Sequence, residues 1–168
     1  MEAGDIVRDN MKVMRRETYI YKMPEWATIR KVTTKEDYAA YGAIYLKAFG
    51  NSFLRRLFLR LNVKQIYQGS YVWIYKGEYV GIYTLKDEEE MRVTPDINFQ
   101  VLYNFAIIPT KQGQGFGKLL LASAITEAAK SGYRELLLSV NVYNSKALNL
   151  YTQFGFKFTD MYKQKGDE

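Results

Sequence analysis

Two β-rich runs with one helical pattern between them, in the C-terminal half of the chain, constrain its fold more than any other feature. The first run, residues 97–108, ends at Pro109, which lacks the N–H group that a β-ladder needs. A helix is predicted for residues 115–130, with Gly132 as its stop signal. Residues 136–142 are nearly all apolar, as in a strand buried on both faces. This order predicts an α/β architecture with a mixed sheet.

The remaining segments also alternate between strand and helix patterns. A strand is predicted at residues 26–32, and Thr33 with Glu36 has the spacing of a capping box that opens a helix. A second, amphipathic helix begins near Ser52. The other predicted elements are a hairpin at residues 71–85, a helix at residues 145–154 and a strand at residues 156–162.

The composition excludes several kinds of chemistry. Of the 168 residues, 48% are hydrophobic and 25% are charged, which is typical of one globular domain. The chain has no cysteine and no histidine, so a disulfide framework, a thiolate zinc site, a Ser/His/Asp triad and a histidine base are excluded. We therefore expect no metal, and any catalysis depends on carboxylates, tyrosine, lysine, backbone amides or water.

The charge balance and the N-terminal segment bear on partners and location. The 24 Lys and Arg residues exceed the 18 Asp and Glu residues, and the net charge of +6 suits a phosphate-bearing ligand or nucleic acid. No apolar run reaches the roughly 18 residues that span a bilayer, so we expect a cytoplasmic protein without a membrane partner. Residues 1–23 are either a flexible arm or an extra edge strand, and residues 24–168 form one domain.

A glycine-rich loop before the predicted C-terminal helix has the character of an anion site. Residues 112–118 read Gln-Gly-Gln-Gly-Phe-Gly-Lys. The first N–H groups of a helix lack partners inside it, so loop amides that converge there can bind a phosphate. A side chain at Gly113, Gly115 or Gly117 would keep the phosphate away from the backbone. A tight turn and a close helix-to-strand contact would explain the same glycines.

Two familiar phosphate motifs do not fit this loop. The Walker motif requires Gly-Lys followed by Ser or Thr, whereas Leu119 follows Lys118. The dinucleotide fingerprint requires an acidic residue about 20 residues on, at the end of the next strand, but Glu135 begins that strand. These residues therefore favour neither ATP nor NAD.

Two blocks of sequence, separated by one helix and one strand, indicate a family. The first block is Asn104-Phe105-Ala106-Ile107-Ile108-Pro109 with the glycine loop after it. The second block is Asn144-Ser145-Lys146-Ala147-Leu148-Asn149-Leu150-Tyr151 followed by Phe154-Gly155-Phe156. Over about residues 97–160 the chain resembles the GNAT superfamily of acetyl-CoA-dependent N-acetyltransferases, whose pyrophosphate loop reads Gln/Arg-x-x-Gly-x-Gly/Ala.

The resemblance implies a single-domain α/β (α+β) fold with a mixed, mostly antiparallel sheet that is splayed at its centre and flanked by helices. It implies acetyl-CoA as co-substrate, with its pantetheine arm paired to a strand backbone and its pyrophosphate held by loop amides. Tyr151 is the implied catalytic residue, donating a proton to the departing sulfur. The implied cofactor-binding residues are Phe105, Ile107, Gln112, Gly113, Gln114, Gly115, Phe116, Gly117, Lys118 and Asn144.

Three of these residues have ordinary structural alternatives. Asn144 stands directly before a helix, where asparagine is a favoured N-cap. Tyr151 shares a helical face with Leu148 and Phe154, so it is also a candidate core aromatic in a chain with 15 tyrosines. Lys118 is either a phosphate contact or a solvated residue of the first helical turn.

The implied reaction is direct attack of an amine on the thioester in a ternary complex, with the amide of Ile107 as candidate oxyanion donor. Many relatives place a glutamate on the strand before the loop, yet residues 98–108 contain no carboxylate. The general base therefore stays open. The candidates are water relayed by Asn104, Tyr103 or a backbone carbonyl, and a more distant acid such as Glu78 or Glu88.

The resemblance implies that the first helices and the hairpin region shape the acceptor side, where two charged segments favour opposite classes of acceptor. The second predicted helix has a basic side of Arg56, Arg60 and Lys64, and its apolar side consists of Phe53, Leu57 and Leu61, with Phe58 as a further candidate. The basic side favours an acidic acceptor, whereas the acidic run at residues 87–90 favours a cationic one. Both are also ordinary solvated charge. A small-molecule amine and a protein or peptide amine both stay open.

The leading interpretation is an enzyme that moves the acetyl group of acetyl-CoA to a primary amine. The alternative is an acyl-CoA-binding sensor module without turnover, which the missing carboxylate base suggests. Nucleic-acid binding is a third hypothesis, but no recognised nucleic-acid motif accompanies the positive charge, so we do not expect it. A homodimer is left open.

Overall fold

A computed structural model describes residues 10–88 and 97–160 of the chain. Within these residues the chain forms seven strands and five helices. In chain order these are β1 (Met11–Glu17), β2 (Thr28–Lys31), α1 (Lys35–Phe49), α2 (Phe53–Leu61), α3 (Val63–Gly69), β3 (Ser70–Tyr75), β4 (Glu78–Lys86), β5 (Phe99–Ile107), α4 (Phe116–Lys130), β6 (Glu135–Asn141), α5 (Ser145–Gln153) and β7 (Lys157–Phe158). No helix in this part of the chain is long and apolar enough to cross a membrane.

The strands form one mixed sheet in the order β2-β3-β4-β5-β6-β1-β7. Only β5 and β6 pair in parallel, and every other neighbouring pair is antiparallel. The predicted fold class, a mixed and mostly antiparallel α/β sheet, is thereby confirmed. The helices cover both faces, as alternation along β3 shows: Tyr71 and Trp73 pack in the cluster that contains α4, whereas Val72 packs with α1.

The N-terminal segment contributes an inner strand. Residues 11–17 pair with β6 over seven positions, from Met11↔Asn141 to Glu17↔Glu135, and β7 pairs with the opposite side of β1 at Met14 and Arg15. This differs from both alternatives in the sequence analysis, a flexible arm and an edge strand. Burial of Val13 and Met14, 4% and 1% exposed, is the physical reason that the strand is held inside the sheet. Residues 1–9 lie outside the described part.

The sheet splays between β5 and β6. Their pairing ends at Leu102↔Leu138, although β5 continues to Ile107 against β4. At the point of separation β5 has a bulge opposite β4, and Asn104 has a φ of 53°, which is rare for a residue with a side chain. The amide Nδ2 of Asn104 donates to the hydroxyl of Tyr41 on α1 at 2.9 Å. This bond anchors the bulge to the helix above it, and the gap beside β5 becomes a cleft.

Local predictions differ from the structure at three places. The capping box that opens α1 is Thr34 with Asp37, one residue beyond the predicted Thr33 and Glu36. The second helix ends at Leu61, and Lys64 therefore lies on the separate helix α3. The last strand is only Lys157–Phe158, and positions 161–162 of its predicted range lie outside the described residues.

Asp37 explains the shift of the capping box. Its carboxylate is fully buried and accepts hydrogen bonds from the N–H groups of Thr33 and Thr34, each at 3.1 Å, from Arg30 Nη2 at 3.0 Å and from the Tyr79 hydroxyl at 2.8 Å. Burial alone would raise the pKa of this carboxyl, but the donors outweigh burial and hold its pKa well below its usual range. Asp37 therefore joins α1 to β2 and β4 as a charged acceptor.

We expect Asp37→Asn to lower the free energy of unfolding by about 2 kcal/mol at neutral pH, because an amide oxygen accepts fewer and weaker bonds from the same donors. The folded-state pKa of Asp37 is depressed, so its contribution is present above the unfolded pKa of about 4 and is lost as pH falls. Urea unfolding at pH 7 and at pH 3 measures this difference. Glu36→Gln, at an exposed position of the same turn, is the control; equal losses from both substitutions would contradict the prediction.

Candidate active site

A cleft of about 370 Å³ lies where β5 and β6 separate. Four parts of the chain form its walls: the end of α1 at Phe49, residues 105–107 of β5, the glycine loop, and the first turns of α5 up to Tyr151. The sequence blocks that carry the family resemblance therefore meet in one place. Of the predicted site residues, the cleft is lined by Phe105, Ile107, Gln112, Gly113, Gly117, Asn144 and Tyr151.

The glycine loop presents a run of unpaired backbone donors. Gly113 and Gly115 have φ values of 77° and 82°, in the left-handed region that glycine adopts most easily. The N–H of Gln112 donates to the carbonyl of Pro109 and that of Lys118 to the carbonyl of Gly115, so both ends of the predicted range are already paired. Within the described residues, the five N–H groups from position 113 to position 117 have no acceptor. They fit a bound anion at the start of α4.

The side chain of Gln112 fixes the loop between β5 and α5. Its Nε2 donates to the carbonyl of Ile107 at 3.0 Å, and its Oε1 accepts from Nζ of Lys146 at 3.0 Å. Lys146 lines the cleft and adds a positive charge beside the unpaired amides. Lys146 belongs to the second sequence block, but its contact with Gln112, 34 positions earlier, is not visible in the sequence.

The backbone of Ile107 is oriented toward the splay. The N–H of Ile108 donates to the carbonyl of Val80 on β4 at 2.9 Å. Because successive residues of a strand direct their backbone groups to opposite sides, the N–H of Ile107 lies on the side away from β4. This orientation leaves it as a donor toward the cleft, where the sequence analysis placed a candidate oxyanion donor.

Tyr151 packs as a core aromatic and also lines the cleft. Its ring is only 8% exposed and contacts Phe105 and Phe156 at centroid distances of 6.3 and 5.8 Å, as a core aromatic would. Its hydroxyl has no hydrogen-bond partner in the part of the chain that the structure describes, yet the residue lines the cleft. Burial raises the pKa of Tyr151 to about 12. The hydroxyl therefore stays neutral at physiological pH and can donate a proton.

Asn144 caps α5 and keeps one side-chain donor unpaired. Its Oδ1 accepts from the N–H of Ala147 at 3.1 Å, which caps α5. Its Nδ2 makes no hydrogen bond to any described residue, although Asn144 lines the cleft. The capping role is therefore real and still leaves an amide donor for a ligand.

Four predicted residues lie outside the cleft lining, and one of them is Gly115. The ring of Phe116 packs against Trp73 and Tyr75, so only its backbone N–H is offered to the loop. Gln114 turns its Nε2 to the carbonyl of Thr110 at 2.9 Å. The Lys118 side chain is exposed at the surface.

No carboxylate among the described residues lines the cleft. Glu78 lies 3.8 Å from the Lys111 ammonium, outside the cleft lining. Glu88 lies beside Tyr103, and burial together with this carboxylate raises the pKa of the Tyr103 hydroxyl. In the described ranges there is also no group of three or more acidic side chains placed to hold a metal ion.

Comparison with known proteins agrees with this geometry. The profile of the acetyltransferase (GNAT) family matches residues 26–156. The chain belongs to the GNAT acetyltransferase family. This confirms the predicted resemblance, because the match includes the splayed strand, the glycine loop and α5.

Two curated relatives match this GNAT chain over a shorter segment. One is the [Ribosomal protein bS18]-alanine N-acetyltransferase of Haemophilus influenzae, 47% identical over 62 residues, which are 37% of this chain and 42% of that protein. The other is the mycothiol acetyltransferase of Jonesia denitrificans, 44% identical over 55 residues, which are 33% of this chain and 18% of that protein. The chain thus spans less than half the length of these relatives.

A solved structure extends the likeness to most of the fold. The GCN5-related N-acetyltransferase from Sphaerobacter thermophilus superposes with a TM-score of 0.67 at 19% identity, covering 89% of this chain and 48% of that one. At this identity the likeness concerns the fold alone.

Proposed function

We propose that this GNAT protein transfers the acetyl group of acetyl-CoA to a primary amine in a ternary complex. The observation that carries the proposal is the run of five unpaired amides at positions 113–117 at one end of a cleft that also contains the Tyr151 hydroxyl. The amides and the Lys146 ammonium suit the diphosphate of the co-substrate. The edge of β5 from residue 103 to residue 107, which does not pair with β6, suits its amide-containing arm.

Two chemical needs of the reaction, an oxyanion donor and an acid for the sulfur, have a candidate group in the cleft. The amine forms a bond to the acetyl carbon while the bond from that carbon to sulfur breaks, so one proton leaves the nitrogen and one reaches the sulfur. The N–H of Ile107 donates to the acetyl oxygen as negative charge develops there. Tyr151 donates its hydroxyl proton to the departing sulfur. With no described carboxylate in the lining, we assign proton removal from the amine to water.

The acceptor follows less directly from the cleft. The two curated relatives are named for a ribosomal-protein alanine and for mycothiol, a protein amine and a small molecule. We propose an amine acceptor of either kind, and a cytoplasmic location in keeping with a ribosomal-protein acceptor. The missing carboxylate also favours a second candidate function, a sensor that binds acyl-CoA without turnover.

Two measurements test the proposal and separate it from the sensor. Acetyl-CoA is expected to raise the Tm of the protein, whereas NAD and ATP are not. Release of free thiol is then measured with a panel of small primary amines and of peptides with free N-termini, including peptides that begin with alanine. Thiol release that depends on the amine supports the enzyme. Stabilisation by acetyl-CoA without such release across the panel supports the sensor, and no stabilisation refutes both.

A further inference from the structure

Helix α2 turns an apolar side toward solvent. Phe53, Leu54 and Leu61 are 77%, 73% and 74% exposed, and Leu57 is half-buried. Residues four apart share one side of a helix, so these four side chains form a continuous surface, which we call the α2 strip. The helix is held to the body by its other side, where Leu59 is buried and its carbonyl accepts from the Tyr38 hydroxyl at 2.7 Å. A cluster of exposed large apolar side chains indicates an interaction site.

Cations follow one flank of the strip. Arg56 and Arg60 recur four residues apart on α2, and Lys64 continues the series on α3. Residues 50–69 contain no aspartate or glutamate. In the described part of the chain none of the three cations forms a salt bridge; the Nε of Arg56 donates to the neutral side chain of Asn51 at 2.6 Å. The strip is therefore apolar with positive charge along the flank of Arg56 and Arg60, and Arg55, which is also exposed, adds a cation beyond Leu54.

The strip also lies close to the cleft. Phe49, the last residue of α1, lines the cleft, and α2 begins four residues later at Phe53. A chain segment of four residues spans at most about 14 Å, so the strip begins near the rim of the cleft. A partner bound there would lie next to the rim of the cleft.

We propose that the α2 strip and its cationic flank dock an amphipathic segment of a protein acceptor, with an apolar side and an acidic side. The inference rests on the proposed function and narrows its acceptor to a protein or peptide amine. A second copy of this chain would bring like charges together. Anionic lipid headgroups would also suit the cations, but the position of the strip near the rim of the cleft favours a segment of the acceptor. RNA would contact the cations, but its bases stack on aromatic side chains, and Phe53 is the one aromatic side chain of the strip.

The test uses three fluorescent peptides with the same apolar positions and a free N-terminus. Their flanking residues are glutamate in the first, glutamine in the second and lysine in the third. Fluorescence anisotropy of the full chain is expected to give the tightest binding for the glutamate peptide and the weakest for the lysine peptide. Arg56→Glu with Arg60→Glu is expected to raise the Kd of the glutamate peptide about tenfold and to lower the Kd of the lysine peptide. Phe53→Ser with Leu61→Ser is expected to raise the Kd of all three peptides.

A matched variant controls for total charge. Lys22→Glu with Lys157→Glu changes the net charge by the same amount at two exposed positions away from α2, and is expected to preserve the order of the peptides. Circular dichroism and Tm check that every variant folds. Equal binding of the three peptides, or no binding, overturns the docking proposal. The proposal is also overturned if the peptides do not bind and the α2 variants instead abolish binding of single-stranded RNA, binding of phosphatidylserine vesicles, or dimer formation.

The peptide assay is independent of turnover. Binding that is tightest for the glutamate peptide and weakest for the lysine peptide, without thiol release in the presence of any acceptor, would refute the proposed enzyme and keep the docking surface. Thiol release with small amines in the absence of peptide binding would keep the enzyme and refute the docking surface. Support for both requires faster transfer to the glutamate peptide than to the lysine peptide, with the order reversed in the Arg56→Glu, Arg60→Glu variant.

Discussion

Replacing Gly115 with valine is expected to raise the Kd for acetyl-CoA about hundredfold, the equivalent of losing two charge-assisted hydrogen bonds. Gly115 has a φ of 82°, which a β-branched residue adopts only with strain, so the loop will shift and its amides will no longer converge. A Cβ at this position meets no protein atom within 4 Å, so crowding inside the protein is not the cause. Isothermal titration calorimetry measures the effect.

Gly132→Val is the matched control for this substitution. Gly132 also has a positive φ, 86°, with no protein atom within 4 Å of an added Cβ, but it follows the far end of α4. We expect this variant to lose stability while binding acetyl-CoA as the wild type does. An equal rise in the Kd for acetyl-CoA in both variants would show that backbone strain, and not the amides of the loop, accounts for the result at Gly115.

Tyr151→Phe is expected to lower kcat about hundredfold with little change in the KM for acetyl-CoA, because the ring keeps its packing and only the proton donor is removed. Steady-state thiol release measures both constants. Tyr71→Phe is the control, since Tyr71 is also buried with its pKa raised to about 12 but does not line the cleft. An unchanged kcat in Tyr151→Phe, or an equal loss in the control, would remove Tyr151 from the mechanism.

The pH profile gives a further check on Tyr151. Burial raises its pKa to about 12, so the hydroxyl keeps its proton, and its ability to donate, at every pH below that value. Ionisation of Tyr151 will therefore not lower kcat between pH 7 and pH 10. A fall in that range that disappears in Tyr151→Phe would contradict the assignment.

The loop and the order of the elements were predictable because their signals are local. Gly113 and Gly115 supply positive φ values that few other residues tolerate, and Pro109 marks the end of β5 from its own chemistry. The second block places Asn144 and Tyr151 one helix and one strand later, and the fold brings both to the cleft. A pattern that depends on neighbouring residues can be read without the rest of the chain.

Features that depend on distant partners were not predictable in the same way. Thr33 and Thr34 each precede an acidic residue by three positions, and the choice between them depends on Asp37 reaching Arg30 and Tyr79. The periodicity of α2 indicates an apolar side but does not say which side the body covers. The contact between Lys146 and Gln112 likewise depends on packing between two helices and the loop.

The position of β1 has a consequence for how the chain folds. β1 pairs with β6, and Arg15 bonds to Glu135 at 2.7 Å, 120 positions further along the chain. This ladder closes only when two distant segments meet, and such distant pairing slows folding. Until they meet, the ladder groups of β1 on that side are unpaired, which is the state in which a strand can pair with another chain.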